Sequence, residues 1–199
     1  MPSRFDSKAP FALFSTREVA VKLLIVYGTT EGQTRKIVQF MRDRLATAGH
    51  GVTLVEAIEP PADLDPRAFD AVIVAGSVHV GKYQTAVEEF ARAHAASLVA
   101  MRSAFVSVSL SAAGHDEDDV RGLEKVVADF AHRTGWTPSV LHHVAGAFRY
   151  TEYDFFKRWA LKYIAWRKGA PTDTGHDYEL TDWEDLARFV DGFVLPTRA

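Results

Sequence analysis

The sequence predicts a doubly wound α/β domain. It should contain a five-stranded parallel sheet of order 2-1-3-4-5, helices on both faces, and a helical insertion before the last helix. Three observations lead there. Short apolar, β-branched runs alternate with segments of helical periodicity. The first run ends in a glycine- and threonine-rich loop that opens a helix. Roughly thirty residues separate the fifth run from the last helix, against the ~2–6 usual for a connection in such folds.

Residues 21–27 (VKLLIVY) read as a buried parallel strand stopped by Gly28. From Gly32 to about Ala48 the pattern is helical, with Ile37, Val38, Met41 and Leu45 on one face and Gly49 ending it. Residues 52–55 form a second strand, and Pro60, Pro61 and Pro66 enforce a loop. Residues 71–75 form the third strand, ending at Gly76. One helix is expected from Val87, Phe90, Ala91, His94 and Leu98. A fourth strand covers 104–110. Val120, Leu123, Val127 and Phe130 mark a helix with Gly135 just past its end, and the fifth strand covers 140–147. Leu186, Phe189, Val190 and Phe193 give a last helix capped by Thr181 or Asp182.

Composition narrows the function classes. The chain has 199 residues, which suits one domain spanning 21–199 preceded by an extension over 1–20. Hydrophobic residues make up 47% and charged residues 25%, enough for an ordinary core. A net charge of −3 is too small to point to nucleic acid. There is no cysteine, so disulfides, thiolate nucleophiles and thiolate-bound clusters are excluded, and redox chemistry would need a bound cofactor. No run approaches the ~18 apolar residues of a membrane span. The extension carries Arg4, Asp6, Lys8, Arg17 and Glu18, which interrupt any signal-peptide segment.

The loop Thr29-Thr30-Glu31-Gly32-Gln33-Thr34 carries the main chemical signal. A helix N-terminus offers unpaired backbone N–H groups and a partial positive charge, which together suit a phosphate. Three threonine hydroxyls and the Gln33 amide add donors, and Gly28 and Gly32 let the backbone come close. No lysine is needed, so a monophosphate ester is a natural guest. The alternative is a capped βα turn with no ligand.

Three other features are weaker. Gly76 to Lys82 has the G-x-x-x-x-G-K spacing of a triphosphate loop, but Tyr83 stands where Ser or Thr should reach magnesium. His142 and His143 are adjacent strand residues pointing to opposite faces, so no metal site is expected. In the insertion, about 148–178, a helix between Tyr153 and Trp166 would align Phe156, Trp159, Tyr163 and Trp166 on one side. Six basic residues between 148 and 168 stand against Glu152 and Asp154. An aromatic face flanked by cations suits a membrane surface, a large apolar substrate, or the protein's own core.

The loop after the first strand resembles the flavodoxin phosphate signature, with Glu31 departing from the usual threonine. A more specific resemblance extends over most of the chain. Glu31-Gly32-Gln33-Thr34-Arg35, Gly81-x-Tyr83 with Glu89-Phe90, and Ser103-Ala104-Phe105-x-Ser107-Val108 match the bacterial flavodoxin-type, quinone-dependent protoporphyrinogen IX dehydrogenases. So do Ala145-Gly146-Ala147-Phe148-Arg149-Tyr150, Thr172-Asp173-Thr174 and Tyr178-x-x-Thr181-Asp182-Trp183-Glu184.

This resemblance implies a flavodoxin-like fold with flavin mononucleotide (FMN) as cofactor. It implies oxidation of protoporphyrinogen IX to protoporphyrin IX in haem synthesis, with electrons passed to a respiratory quinone. It also implies a cytoplasmic protein held peripherally at the inner membrane, with homo-oligomerisation left open. Thr29 to Thr34 would hold the phosphate. Ser77, Val78, His79, Val80, Gly81 and Tyr83 would wrap one side of the isoalloxazine ring, with Tyr83 stacking or capping the next helix; Ser109, Leu110 and Ser111 would flank the other. Arg149 could pair with a substrate propionate and Tyr150 could stack on the macrocycle, while His79 is a further catalytic candidate. Each has a purely structural alternative, and no obligatory base stands out. Competing classes are an electron-carrying flavodoxin, a soluble FMN-dependent quinone or azo reductase, and a flavin-free membrane adaptor. Carriers tend to be strongly acidic, which a net charge of −3 and a basic insertion do not match.

Overall fold

The computed structural model describes residues 20–113, 117–148 and 178–194. Arg149, Tyr150 and the expected helix between Tyr153 and Trp166 lie outside the described residues, as do residues 1–19. Five parallel strands form the sheet: β1 (Lys22–Tyr27), β2 (Gly51–Glu56), β3 (Ala71–Ser77), β4 (Arg102–Ser109) and β5 (Val140–Ala145). Their order is β2-β1-β3-β4-β5, as the sequence predicts. Helices α1 (Gln33–Thr47), α2 (Thr85–Ala93), α3 (Ala95–Ala100), α4 (Glu117–Thr134) and α5 (Trp183–Val194) connect or follow them.

The period-two alternation of strand side chains divides the core into two layers. Leu23, Ile25, Ile73, Val106 and Val144 face α1 and α5, meeting Ile37, Met41, Leu45, Leu186 and Val190. Leu24, Val26, Val72, Val74 and Phe105 face the other way, against Val87, Phe90, Leu98, Phe130 and Trp136. β1, β3 and β4 are buried on both faces, which is why β1 and β3 read as near-continuous apolar runs, while β4 buries Ser103, Ser107 and Ser109 among its apolar residues. The edge strand β2 alternates instead.

An aromatic cluster fills the second layer. Phe105 and Phe130 stack with ring centroids 4.4 Å apart, and Tyr83 meets both edge-on. Tyr83 is 4% exposed, and its hydroxyl pairs with Ser107 Oγ at 2.8 Å. Burial pushes the phenol up to about 12, and the Ser107 bond only partly opposes that shift. Tyr83 is therefore a core residue that turns its ring away from the loops at the sheet's end.

Three local features differ from expectation. The helix expected across Val87 to Leu98 breaks at His94 into α2 and α3. The break lets Leu98 enter the same apolar layer as Phe90 and Ala91. The fifth strand stops at Ala145, and a separate β6 (Ala147–Phe148) pairs antiparallel with β7 (Tyr178–Glu179). The insertion thus leaves and re-enters the domain through a two-stranded ribbon. In α4, Val120 is 47% exposed, so the apolar face expected there is covered only towards its C-terminal end, at Phe130. At α5, Asp182 rather than Thr181 is the cap, its carboxylate accepting the Asp185 N–H at 2.9 Å. Among the described residues, no helix is long and apolar enough to cross a membrane.

The histidine pair sits on the edge strand β5, as its sequence position requires. His142 stacks on Phe189 at 4.3 Å and lies 3.4 Å from Asp185. Burial lowers its pKa from the ordinary histidine value, with Asp185 opposing and His143 adding to the shift. Burial lowers His143 as well, and its Nδ1 has no hydrogen-bond partner. Both side chains take up protons more readily when unfolded, so stability rises with pH through the region of the free histidine value and falls below about 6.5. Wild-type Tm should drop between about pH 7.5 and 5.5 more steeply than that of a His142→Gln/His143→Gln variant. Equal slopes in a thermal-melt series would contradict this account.

Candidate functional site

Chain direction reverses at β1. From there the chain runs outward to β2 and then back across to β3, so the connections after β1 and β3 diverge onto opposite faces. A crevice opens at such a switch point, outside the carboxyl ends of the strands. Here it is lined by Thr29, Thr30, Glu31, Gln33 and Thr34 on one side and by Ser77, Val78 and His79 on another; Val108, Leu110, Gly146 and Ala147 complete it. Loops following β1, β3, β4 and β5 therefore converge.

The β1–α1 loop is built as a turn around Gly32. Its φ of 90° lies in the left-handed region that glycine favours, and its carbonyl accepts the Lys36 N–H at 3.1 Å. Thr29 Oγ1 accepts the Gly32 N–H at 3.0 Å, which fixes the loop's curvature. No side chain caps α1, so its first-turn N–H groups point outward without an internal acceptor. Thr34 Oγ1 is buried with no hydrogen-bond partner. An orphaned hydroxyl in the first turn of an uncapped helix is what a phosphate ester would satisfy, so this loop fits a monophosphate group.

Nearby cations are already committed. Arg35 forms a two-oxygen pair with Glu56 and donates to the Tyr27 hydroxyl at 3.2 Å. Lys36 pairs with Glu179 and sits 5.3 Å above the Trp183 ring. Recognition at the loop would rest on backbone dipoles and hydroxyls.

The walls are held by a residue that sequence reading did not single out. Gln84, at the N-terminus of α2, donates to Thr30 Oγ1 at 3.0 Å and to Ser77 Oγ at 2.5 Å, while its carbonyl accepts the Ser77 N–H at 3.1 Å. One amide thus ties the loop after β1 to the loop after β3. Gly28 permits this proximity: a Cβ there would lie 2.5 Å from Val87 Cγ2 and 3.1 Å from Gln84 Oε1. Gln84 precedes a helix but carries no motif, so its role has no signature along the chain. Gly146 and Ala147 also line the crevice, and along the chain they stand out only within the family-like stretch 145–150.

The remaining expected residues are placed differently from one another. Ser77, Val78, His79 and Leu110 line the crevice. Val80 and Gly81 form the tip of a tight turn closed by backbone bonds between His79 and Lys82 at 2.8 and 3.1 Å. Both have positive φ, 48° and 73°, and Val80 is 87% exposed. The G-x-x-x-x-G-K spacing thus belongs to a strand end and a hairpin turn. Ser109 is buried beneath the crevice, its Oγ accepting the Ala112 N–H at 3.1 Å, and Ser111 begins a 3₁₀ turn beside it. Tyr83 lies in the core and does not line the crevice, which corrects the stacking role expected for it. Gln33 also departs from expectation. Its amide nitrogen is turned towards Glu179 and Thr181, leaving its backbone N–H as its contribution to the loop.

Known proteins agree with this fold. A family model described as "Flavodoxin domain" matches residues 24–175. The chain is 34% identical over 172 residues to the quinone-dependent protoporphyrinogen IX dehydrogenase of Escherichia coli strain K12, covering 85% of this chain and 93% of that protein. A protein of the same name from Leishmania major is 28% identical, with 87% and 74% covered. Among solved structures, oxidised flavodoxin 1 from Bacillus cereus superposes with a TM-score of 0.51 at 12% identity, covering 87% of this chain and 97% of that one. A short-chain flavodoxin associated with a bacterial microcompartment gives 0.54 at 15%, with the same coverage. These distant structures support the fold alone. With the matched domain and the close relative covering most of its length, the chain belongs to the flavodoxin-domain family that includes the quinone-dependent protoporphyrinogen IX dehydrogenases.

Proposed function

We propose that this protein is an FMN-dependent dehydrogenase that oxidises protoporphyrinogen IX and passes the electrons to a quinone. The observation that carries the reading is the phosphate-sized cradle at the N-terminus of α1, on a chain whose 34%-identical relative is named for this reaction. When bound, FMN would supply hydride acceptance from the porphyrinogen and electron donation to the quinone, the chemistry that a chain without cysteine cannot supply from its own side chains.

The protein's part is binding, orientation and exclusion of water. The α1 N-terminus and the Thr34 hydroxyl hold the phosphate ester. Gln84 sets the separation between the phosphate loop and the loop after β3. Val78, His79 and Leu110 line the crevice and would flank the ring of a bound flavin. Each two-electron step removes a hydride equivalent and a proton from substrate. No buried base lines the described crevice; His79 and Glu31, both exposed, are its titratable side chains, and either could pass that proton to solvent. Arg149 and Tyr150 follow directly on β6, and their side chains suit a propionate and a macrocycle face respectively.

The insertion's sequence supports contact with a membrane surface, where a lipid quinone resides. Its aromatic side between Tyr153 and Trp166, flanked by cations, suits the headgroup boundary.

Three experiments test these readings. FMN-loaded protein given anaerobic protoporphyrinogen IX and a quinone should generate porphyrin fluorescence well above the enzyme-free rate; equal rates would remove the substrate assignment. Thr34→Val should leave the Tm of the FMN-free protein unchanged or slightly higher, because it removes an unsatisfied hydroxyl, yet weaken FMN binding about tenfold. Unaltered FMN affinity would show that this hydroxyl does not meet the phosphate. Deleting residues 153–166 should spare FMN binding and abolish co-sedimentation with anionic liposomes; unchanged pelleting would contradict the membrane role.

A further inference from the structure

Gln33 is the first residue of α1, in the middle of the phosphate loop, yet its carboxamide does not face the crevice's centre. Its nitrogen donates to Thr181 Oγ1 at 2.9 Å and to Glu179 Oε1 at 3.3 Å. Glu179 also takes the Lys36 ammonium. Burial pushes the Glu179 carboxyl up, but the bonds from Lys36 and Gln33 outweigh it and hold the group below the usual carboxylate range. A carboxylate is an acceptor only, so the Gln33 amide must present its N–H₂ to this side. The Thr181 hydroxyl in turn donates to the Ala145 carbonyl at 2.8 Å, at the end of β5. One residue earlier, the Leu180 N–H bonds to the Gly146 carbonyl at 3.1 Å.

These bonds form a continuous strut: phosphate loop to Gln33, Gln33 to Thr181, Thr181 to the end of β5. Gly146 and Ala147, immediately beyond Ala145, are the far wall of the same crevice. We propose that Thr181 is a positioning residue for the phosphate end of the site, acting through Gln33. It fixes the distance between the α1 N-terminus and the wall formed by Gly146 and Ala147, so that binding a phosphate ester and ordering the β6–β7 ribbon are one event. The proposal rests on the FMN reading above. Displacements of about an ångström in a supporting shell are enough to degrade a multidentate site.

The test uses the full chain with FMN as ligand and riboflavin as the phosphate-free control. Thr181→Val keeps the shape but removes both bonds of the hydroxyl, and should weaken FMN binding about tenfold in a fluorescence titration, while Thr181→Ser stays within about twofold of wild type. Riboflavin affinity should change little in either. Gln33→Leu should reproduce the loss, and the double variant Gln33→Leu/Thr181→Val should lose no more than either single change. In wild type, FMN should slow hydrogen exchange at the Leu180 amide; in Thr181→Val it should not. Wild-type FMN affinity in Thr181→Val, or additive losses in the double variant, would overturn the strut. If Thr181→Val does not fold, Gln33→Leu with unchanged FMN affinity and unchanged exchange at Leu180 overturns it equally. If wild type itself binds no FMN, the cofactor reading fails and the strut with it; if it binds FMN while the variants match it, only the strut fails.

Discussion

Everything at the site depends on a reversal of strand order at β1. Because β2 lies on one side of β1 and β3 on the other, α1 and α2 pack on opposite faces of the sheet. No helix can then cover the gap between the loops that follow β1 and β3. The uncapped N-terminus of α1 opens towards that gap, and its backbone geometry suits an anion before any side chain contributes. Charge would add little there, since Arg35 and Lys36 are both paired with carboxylates.

Two amide side chains convert that gap into a site of fixed width. Gln84 spans from Thr30 to Ser77 on one side, and Gln33 reaches Thr181 and Glu179 on the other. A carboxamide suits this task because it donates and accepts at once while carrying no charge to compete with a phosphate. The buried aromatic cluster of Tyr83, Phe105, Phe130 and Trp136 supports the same wall from beneath, anchoring the loop after β3 through Tyr83. Thr34 Oγ1 is buried and unpaired, as are Trp136 Nε1 and His143 Nδ1, but Thr34 alone of the three lines the crevice.

The ribbon of β6 and β7 explains how a long insertion can be carried without disturbing the sheet. Its two ends enter and leave side by side, with Ala147 opposite Glu179, so the domain core experiences only a short antiparallel pair. The insertion is therefore attached at the rim of the crevice. The aromatic and basic segment is thus joined to the domain beside the crevice without any change to the sheet.

By itself the sequence determined the architecture and the place of the glycine turn that opens α1. Buried parallel strands have to be apolar on both faces, helices have to repeat their apolar residues near every fourth position, and the turn at Gly32 needs a residue that tolerates positive φ; each leaves a local trace. The tertiary structure alone decided which polar side chains serve the site. Tyr83 comes two residues after Gly81 in the loop that follows β3, yet it belongs to the core, packed edge-on against Phe105 and Phe130. Gln84 is unremarkable along the chain and Thr181 reads there as a helix cap, yet both brace the crevice because the fold brings residues 54 and 148 positions apart into hydrogen-bonding distance. Periodicity records what a residue does within its own element. Partners supplied by distant segments leave no such record.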